Sequence, residues 1–288
     1  MKTTLFRILA VWPAAIWLVL FALAPLLLAL VVSFLTRNES SFVSIDFSLY
    51  GYRTIFSPAF LSVLWNSITL AAGATVLCLL TGYPFAYGLA KSGRLKNLLL
   101  LLVIIPFWTN SLIRTYALVF LLKGRGLLSQ TLLFLGFIDQ PLSILYTDTA
   151  VFAGMVYTLL PFMILPIYAS IDKFDWRLVE AAHDLGASRV RAFVSVTWPL
   201  TLPGVAAGCM MVFLPALGMF YIPDLLGGGR NPVVGNFIKN QFLTARDWPA
   251  GAAASVVLTG LMLLMVAYYR WSSTRSGRSR GQGEEVAA

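Results

Sequence analysis

Six long apolar stretches constrain this chain more than any other feature of its sequence. Each approaches or exceeds the roughly 20 residues that a helix needs to cross a bilayer. Only 11% of the 288 residues are charged, against about 25% in soluble domains. Backbone polar groups inside lipid must be satisfied within each segment, which favours helices. The sequence therefore predicts an all-α, polytopic membrane protein with six transmembrane helices, near 8–34, 61–90, 97–122, 149–170, 200–223 and 250–271.

The two ends of the chain are polar in different ways. Lys2 and Arg7 precede the first apolar stretch. That stretch is longer than the usual core of a signal peptide, about 7–15 residues, so we interpret it as an uncleaved span. The segment 272–288 is rich in Ser, Gly and Arg and is predicted to be a disordered cytoplasmic tail. We expect one membrane domain over 1–271, followed by that tail.

Basic residues indicate how the spans are oriented. The formal net charge is +9, and Lys and Arg gather at the ends of spans, most clearly in the short segment 91–96. With the N-terminus inside the cell, 13 basic residues lie on the inner side and 7 on the outer side. Because inner loops carry the excess of Lys and Arg, we predict that both termini and the segment 175–199 are cytoplasmic. This distribution suits membrane lipid and does not suit nucleic acid.

The segment 175–199 is the longest polar interruption of the apolar chain. Phe174 and Val179 flank Asp175 as a hydrophobic staple flanks an N-cap. Gly186 is a typical helix stop, because glycine tolerates the left-handed conformation. Apolar residues between them recur at i, i+3, i+4 and i+7, as on one face of a helix. That face consists of Leu178, Ala181, Ala182 and Leu185.

A second helix is predicted after the glycine. Ser188 can cap it, and Pro199 is expected to break or kink the chain beyond it. The resulting hairpin could lie on lipid headgroups as an amphipathic helix. The small Ala181 and Ala182 favour the alternative, which is docking into a protein groove, because small residues let another backbone approach closely.

One long motif in this hairpin carries a family resemblance. Glu180-Ala181-Ala182 is followed after three residues by Gly186, and after nine more by Val196-Thr197-Trp198-Pro199. The pattern resembles the EAA loop of ABC importer permeases, in which Ile and Leu replace the Val and the Trp. The resemblance implies a type I ABC importer permease fold, whose coupling helix sits in a groove of a cytoplasmic ATPase. The coupling residues that it implies are Glu180, Ala181, Ala182, Asp184, Leu185 and Gly186.

Further motifs extend the resemblance over nearly the whole chain. The segments 106–114 (PFWTNSLIR), 160–163 (LPFM) and 240–242 (NQF) are similar to the permeases of spermidine/putrescine importers. This implies a place in the bacterial inner (plasma) membrane beside a second homologous permease, a cytoplasmic ABC ATPase dimer and a periplasmic polyamine-binding protein. The phosphate-loop pattern G-x-x-x-x-G-K-[ST] is absent from the chain. ATP and Mg²⁺ are therefore expected on the partner ATPase, with no cofactor on this chain.

A path for polyamines needs carboxylates or aromatic faces, because these offset the cost of dehydrating a multiple cation. Trp and Tyr are also common at membrane interfaces, and Asp224 can instead solvate a helix end, so both interpretations stay open. Asp148 is expected mainly to cap the fourth span. Arg114 would repel a cation, and we expect it to hold a neighbouring helix or the binding protein. The candidate path residues are Trp108, Asn110, Tyr116, Tyr157, Tyr221 and Asp224.

Residues that could perform catalysis are few. Cys78 and Cys209 lie in apolar runs without disulfide or metal-ligand spacing, and His183 is the only histidine. We interpret the chain as a transporter subunit and expect neither an enzyme nor a metal site. Two alternatives remain. One is a permease for another small solute, such as sulfate, thiamine or ferric iron. The other is a passive channel, which would have no use for the EAA spacing.

Overall fold

A computed structural model describes residues 2–38 and 42–285, with side chains over 11–38 and 42–271. It is mostly helical, which confirms the predicted fold class. Six segments are long and apolar enough to cross a membrane, as predicted. They are Val11–Val32, Pro58–Lys91, Ser111–Phe134, Asp148–Asp172, Arg189–Gly218 and Trp248–Trp271.

The first of two compact units comprises residues 1–64 and 234–265. The described side chains of its N-terminal helix are unburied over Val11–Val32, so they are available to lipid or to a partner. The unit contains α1 (Lys2–Val32), β1 (Leu35–Asn38), β2 (Phe42–Phe47), α2 (Tyr50–Ile55), the start of α3 (Pro58–Lys91), α12 (Val234–Leu243) and the N-terminal part of α13 (Trp248–Glu285).

A two-stranded antiparallel hairpin, β1–β2, is the part of this unit that the sequence did not predict. It lies beside the buried carboxylate of Asp247, which is 4% exposed. One carboxylate oxygen accepts from the Tyr50 hydroxyl at 3.1 Å and lies 3.9 Å from an Arg37 nitrogen. The other accepts from the Ala250 backbone N–H at 3.1 Å in the first turn of α13. One acid therefore ties the hairpin, α2 and α13 together.

The second unit comprises residues 65–233 and 266–288. Two short 3-10 turns, Gly93–Leu95 and Ile105–Trp108, and a π turn, Phe193–Thr197, interrupt its helices. Besides most of α3 and the C-terminal half of α13, its helices are α4 (Lys96–Ile104), α5 (Ser111–Leu122), α6 (Leu127–Phe134), α7 (Asp148–Asp172), α8 (Arg177–Asp184), α9 (Arg189–Ala192), α10 (Trp198–Gly218) and α11 (Tyr221–Gly227).

Helices α7 and α10 form the main packed pair of the second unit. They meet through glycines: a Cβ on Gly204 would lie 2.4 Å from the Ser170 Cβ, and a Cβ on Gly208 would lie 2.9 Å from the Met163 sulfur. Small residues allow such close approach where lipid offers no hydrophobic driving force between helices. At one end of this unit, Lys96 pairs with Asp172, and this carboxylate, together with the Tyr168 hydroxyl, raises the pKa of Lys96.

The third predicted span, 97–122, is wrong as a continuous helix. Helix α4 ends at Ile104, and the chain passes through the 3-10 turn and an extended Thr109 before α5 begins at Ser111. Pro106 explains the break, because proline lacks an N–H and its ring clashes with the preceding turn. Asn110 then restarts the helix: its side-chain oxygen accepts from the Leu112 N–H at 2.8 Å. The apolar segment that qualifies here as a span is Ser111–Phe134.

The predicted fifth span, 200–223, is also misplaced. Its helical segment runs from Arg189 to Gly218, through α9, the π turn and α10. Pro199 does not break it: the π turn Phe193–Thr197, whose hydrogen bonds span five residues instead of four, directly precedes the proline and changes the backbone bonding where the proline offers no N–H.

The backbone of α13 is helical as far as Glu285, whereas the sequence predicts a disordered tail over 272–288. Extending an existing helix adds one hydrogen bond per residue fixed, which is far easier than starting a new one. The side chains of 272–288 lie outside the described residues, so disorder of the tail stays a prediction.

Candidate functional site

The first helix of the polar hairpin starts at Arg177 with Trp176 at the N-cap position, one residue after the predicted cap, Asp175, which still bonds to the first N–H of the helix. One carboxylate oxygen of Asp175 accepts from the Arg177 backbone N–H at 3.0 Å, and α8 begins there. Such a cap satisfies one of the N–H groups that a helix start leaves without a partner. The acid that the sequence marks as an N-cap therefore fixes where the coupling segment begins.

Gly186 ends α8 in the left-handed conformation, with a φ of +82°. Its N–H donates to the His183 carbonyl at 2.9 Å, and the Ala187 N–H donates to the Ala182 carbonyl at 2.9 Å. These two bonds form a Schellman motif. The His183 ring adds a third bond, since its Nδ1 lies 2.9 Å from the Ala187 carbonyl oxygen, which can only accept. His183 thus fastens the bend, a role that the sequence did not indicate.

The second helix of the hairpin begins at once. The Ser188 hydroxyl accepts from the Arg191 N–H at 3.3 Å, as expected for a cap.

The apolar face of α8 is uncovered in this chain. Leu185 is 89% exposed and Leu178 is 48% exposed, and no residue of α8 is buried. Ala182 is half-buried, whereas Glu180, Ala181, Asp184 and Gly186 are exposed. All six predicted coupling residues therefore lie on one short, accessible helix and its bend.

The root of the hairpin is held by aromatic rings that the sequence motifs did not indicate. We call Tyr83, Tyr87, Trp176, Phe193 and Trp198 the aromatic joint. Ring centroids lie 5.8 Å apart for Tyr87–Trp176, 6.0 Å for Tyr87–Phe193 and 5.2 Å for Tyr83–Trp198. These contacts connect α3 to the start of α8, to the π turn and to α10. Their signal in the sequence is the i, i+4 spacing of Tyr83 and Tyr87, which places both on one face of α3.

A lysine completes the joint. The Lys91 ammonium lies 4.4 Å from the Tyr87 ring centroid and 4.7 Å from that of Trp176. A cation over an aromatic face gains about 0.5–2 kcal/mol, depending on how far it is desolvated. Deeper in the membrane segment, the buried Tyr83 and Thr201 hydroxyls share a hydrogen bond of 3.0 Å. The hairpin is thereby attached to two membrane helices at its root and is free at its tip.

The candidate path residues lie mostly on three helices that pack against one another, α5, α7 and α11. Tyr116 on α5 is 59% exposed and Tyr157 on α7 is 43% exposed. Asn110 is used as the cap of α5. Tyr221 and Asp224 are half-buried in the first turn of α11. Trp108 lies apart, at the end of the 3-10 turn, and is 78% exposed.

Arg114 explains why one of these rings is a poor cation site. Its guanidinium carbon lies 5.8 Å from the Tyr157 centroid and 5.9 Å from the Phe107 centroid. Two of its nitrogens are buried without a hydrogen-bond partner among the described residues. Arg114 thus joins α5 to α7, in keeping with the expectation that it holds a neighbouring helix, and it occupies a face of Tyr157.

A cavity of about 210 Å³ lies at the other end of α7 from the hairpin. Asn66, Thr69, Asp148 and Asn231 supply its polar lining. The expected cap by Asp148 is wrong, because the cap of α7 is Thr147, whose hydroxyl accepts from the Ala150 N–H at 3.3 Å. Over the described residues, no group of three or more His, Cys, Asp or Glu is placed to hold a metal ion.

Known proteins resemble this chain over most of its length. Residues 78–278 match the family model described as binding-protein-dependent transport system inner membrane component. The spermidine/putrescine transport system permease protein PotB of Escherichia coli is 51% identical over 260 residues, 90% of this chain and 94% of that protein. PotB of Haemophilus influenzae is 50% identical over 256 residues, 88% of this chain and 90% of that protein.

A solved structure shares the fold. It is the bacterial alginate ABC transporter in complex with an alginate pentasaccharide-bound periplasmic protein, with a TM-score of 0.76 and 18% identity over 95% of this chain and 96% of that chain. The exposed hairpin, the six apolar segments and the two PotB relatives agree with the family match. The chain therefore belongs to the family of binding-protein-dependent transport system inner membrane components.

Proposed function

We propose that this chain is a permease subunit of an ATP-driven importer of polyamines and forms half of the translocation path. The coupling hairpin is the observation that carries the importer assignment. An amphipathic helix with an uncovered apolar face and small residues suits a protein groove. The polyamine assignment is supported by the identity to spermidine/putrescine permeases at about half of the aligned positions.

Two features of this chain indicate its partners: the missing phosphate-loop pattern and the exposed helix α8. The chain has no phosphate-loop pattern, so ATP hydrolysis belongs to a cytoplasmic ATPase dimer that receives α8. A second homologous permease forms the other half of the path, and a periplasmic binding protein delivers the polyamine. The excess of basic residues at the hairpin end supports a cytoplasmic location for this end and for both termini.

In the proposed mechanism, closure of the ATPase dimer moves the tip of the hairpin. The aromatic joint transmits this movement to α3 and α10, because both helices contact the root of the hairpin. The path then opens to the outside and receives the solute. Among the predicted coupling residues, Ala181 and Ala182 allow close docking, Gly186 forms the bend, and Glu180 supplies charge at the groove. Asp184 and Leu185 complete the docked surface.

Reconstitution tests the function directly. The chain, its partner permease, the ATPase and the binding protein are placed in proteoliposomes, and uptake of labelled spermidine and putrescine is measured with and without ATP. We expect ATP-dependent uptake of at least one polyamine. Preferential uptake of sulfate, thiamine or ferric iron would replace the proposed solute, and uptake without ATP would favour a passive channel.

Replacing Lys91 with Met should lower the amount of solute imported per ATP by about five-fold. This corresponds to about 1 kcal/mol, within the range for a cation held by aromatic rings. Hydrolysis of ATP should continue, because the catalytic site is on the partner. The measurement is the ratio of labelled solute imported to phosphate released.

Two control variants show whether the effect depends on the aromatic joint or only on the loss of a positive charge. Lys91→Arg keeps a cation over Tyr87 and Trp176 and should recover most of the ratio. Lys173→Met removes an exposed lysine close to the same hairpin and should leave the ratio unchanged. Equal losses in Lys91→Met and Lys173→Met would rule out a specific role for the joint.

A further inference from the structure

We propose that the cavity between α3, α7 and α11 is a binding site for an alkylammonium group, with the Asp148 carboxylate as its anion. This inference rests on the proposed function, since it assigns to the polyamine a place on this chain. The cavity lies wholly within the second unit, about 35 Å from the coupling hairpin, given the length of α7 and a rise of 1.5 Å per residue.

The Asp148 carboxylate is available to a ligand because Thr147, and not Asp148, caps α7. The hydrogen bond described for the Asp148 side chain runs from the Asn231 amide nitrogen to one oxygen, at 2.9 Å. A carboxylate can accept about four hydrogen bonds, so this bond orients the group and leaves acceptor capacity for a ligand.

The charge and chemistry of the lining select the ligand class. The cavity is lined by one acid and by no Lys, Arg or His, so it attracts cations and repels anions. A primary ammonium needs three acceptors. The residues that line the cavity include one carboxylate, Asp148, and two side-chain amides, Asn66 and Asn231, whose oxygens together exceed that number.

The rest of the lining suits an aliphatic chain. Phe152, Val151 and Val233 are among its apolar residues, and burying methylene groups against such a surface is favourable. The volume of about 210 Å³ corresponds to about seven water molecules. This space accommodates an ammonium group with several methylenes, whereas a hydrated inorganic anion would meet both the carboxylate and the apolar walls.

Protection from chemical labelling tests the site without requiring transport. Cys78 and Cys209 are replaced with Ala, and Thr69→Cys introduces a thiol into the cavity lining. Labelling of the full complex by a methanethiosulfonate reagent is then timed with putrescine, or with 1,4-butanediol, which has the same carbon chain without the ammonium groups. We expect putrescine to slow labelling and butanediol to have no effect.

The carboxylate is tested in the same background. Asp148→Asn keeps the shape and can still accept from Asn231, so the local structure should persist. The Asp148→Asn substitution should raise the putrescine concentration that halves the labelling rate of the introduced thiol about ten-fold or more, as expected for losing a bond to a charged group. Asp148→Glu should recover part of the protection. Asp139→Asn, which removes an exposed acid outside the cavity, should behave like the parent.

The outcomes distinguish a failure of the proposed site from a failure of the proposed function. Protection that is absent, or that is equal in the parent and in Asp148→Asn, overturns the site even if the complex imports putrescine. Protection that depends on Asp148, in a complex that imports no polyamine, supports the site and overturns the proposed function.

Discussion

Replacing Gly186 with Leu should lower ATP-driven uptake about five- to thirty-fold while the partner continues to hydrolyse ATP. At a φ of +82°, the substituted residue must adopt the left-handed conformation, which costs an L-residue about 1–2 kcal/mol. That strain weakens the Schellman bonds that hold the bend, and 1–2 kcal/mol shifts a population by about this factor. Uptake of labelled solute and release of phosphate, measured on the same proteoliposomes, test the expectation.

Steric crowding within this chain is not the cause of this effect, because a Cβ on Gly186 would meet none of its other atoms within 4 Å. Gly186→Asn is therefore an informative variant: asparagine tolerates the left-handed region and should retain most uptake. Gly93 is a matched control in the other turn on the same side, with a φ of +52° and equally open space. Gly93→Leu imposes similar backbone strain and should leave coupling intact. Normal uptake by Gly186→Leu would contradict the coupling role of the bend.

Replacing Gly204 with Val should destabilise the protein, lowering its melting temperature in detergent by about 5–10 °C. The new Cβ alone would lie 2.4 Å from the Ser170 Cβ and 2.9 Å from the Pro166 carbonyl oxygen. A backbone atom cannot move aside cheaply, so α7 and α10 must separate. Overpacking of this kind costs about 1–3 kcal/mol or more, and each kcal/mol shifts melting by about 2–4 °C in a chain of this size.

Gly88→Val provides the matched control. Gly88 also lies inside a spanning helix of the second unit, but a Cβ there would meet nothing within 4 Å. Both variants replace a helical glycine with the same β-branched residue, so the change in helix propensity is common to both. Thermal unfolding followed by tryptophan fluorescence should separate them by several degrees. Indistinguishable melting curves would mean that α7 and α10 do not depend on glycine packing.

Hydropathy and length are sufficient to predict six spans, but not where two of them break or begin. The apolar run from Leu98 to Trp108 contains no polar residue, so hydropathy alone cannot show that α4 already ends at Ile104. The signal lies in the pair Pro106 and Asn110, a breaker followed by a cap. Around Pro199 the opposite error arises: the proline indicates a break, but the π turn before it lets the helical segment continue.

The coupling hairpin is predictable because its signals are local. Asp175, Gly186 and Ser188 each act on backbone groups within five residues, and the structure assigns each the expected cap or stop. The aromatic joint is not predictable in this way, because Tyr87 and Trp176 are far apart in sequence and meet only after α3 has packed. The cavity is not predictable for the same reason, because Asn66, Asp148 and Asn231 come from three separate segments of the chain.

The π turn at Phe193–Thr197 marks a place where the chain can lose one residue without changing the direction of its neighbours. A π turn contains one residue more than an α turn and absorbs it without rotating the helices on either side. Deleting one codon within this turn would shorten it to an α turn and leave the EAA residues facing in the same direction. The same deletion two turns later, inside α10, would swing them by about 100°. When relatives of different length are aligned, a one-residue gap between the EAA residues and α10 therefore belongs at Phe193–Thr197.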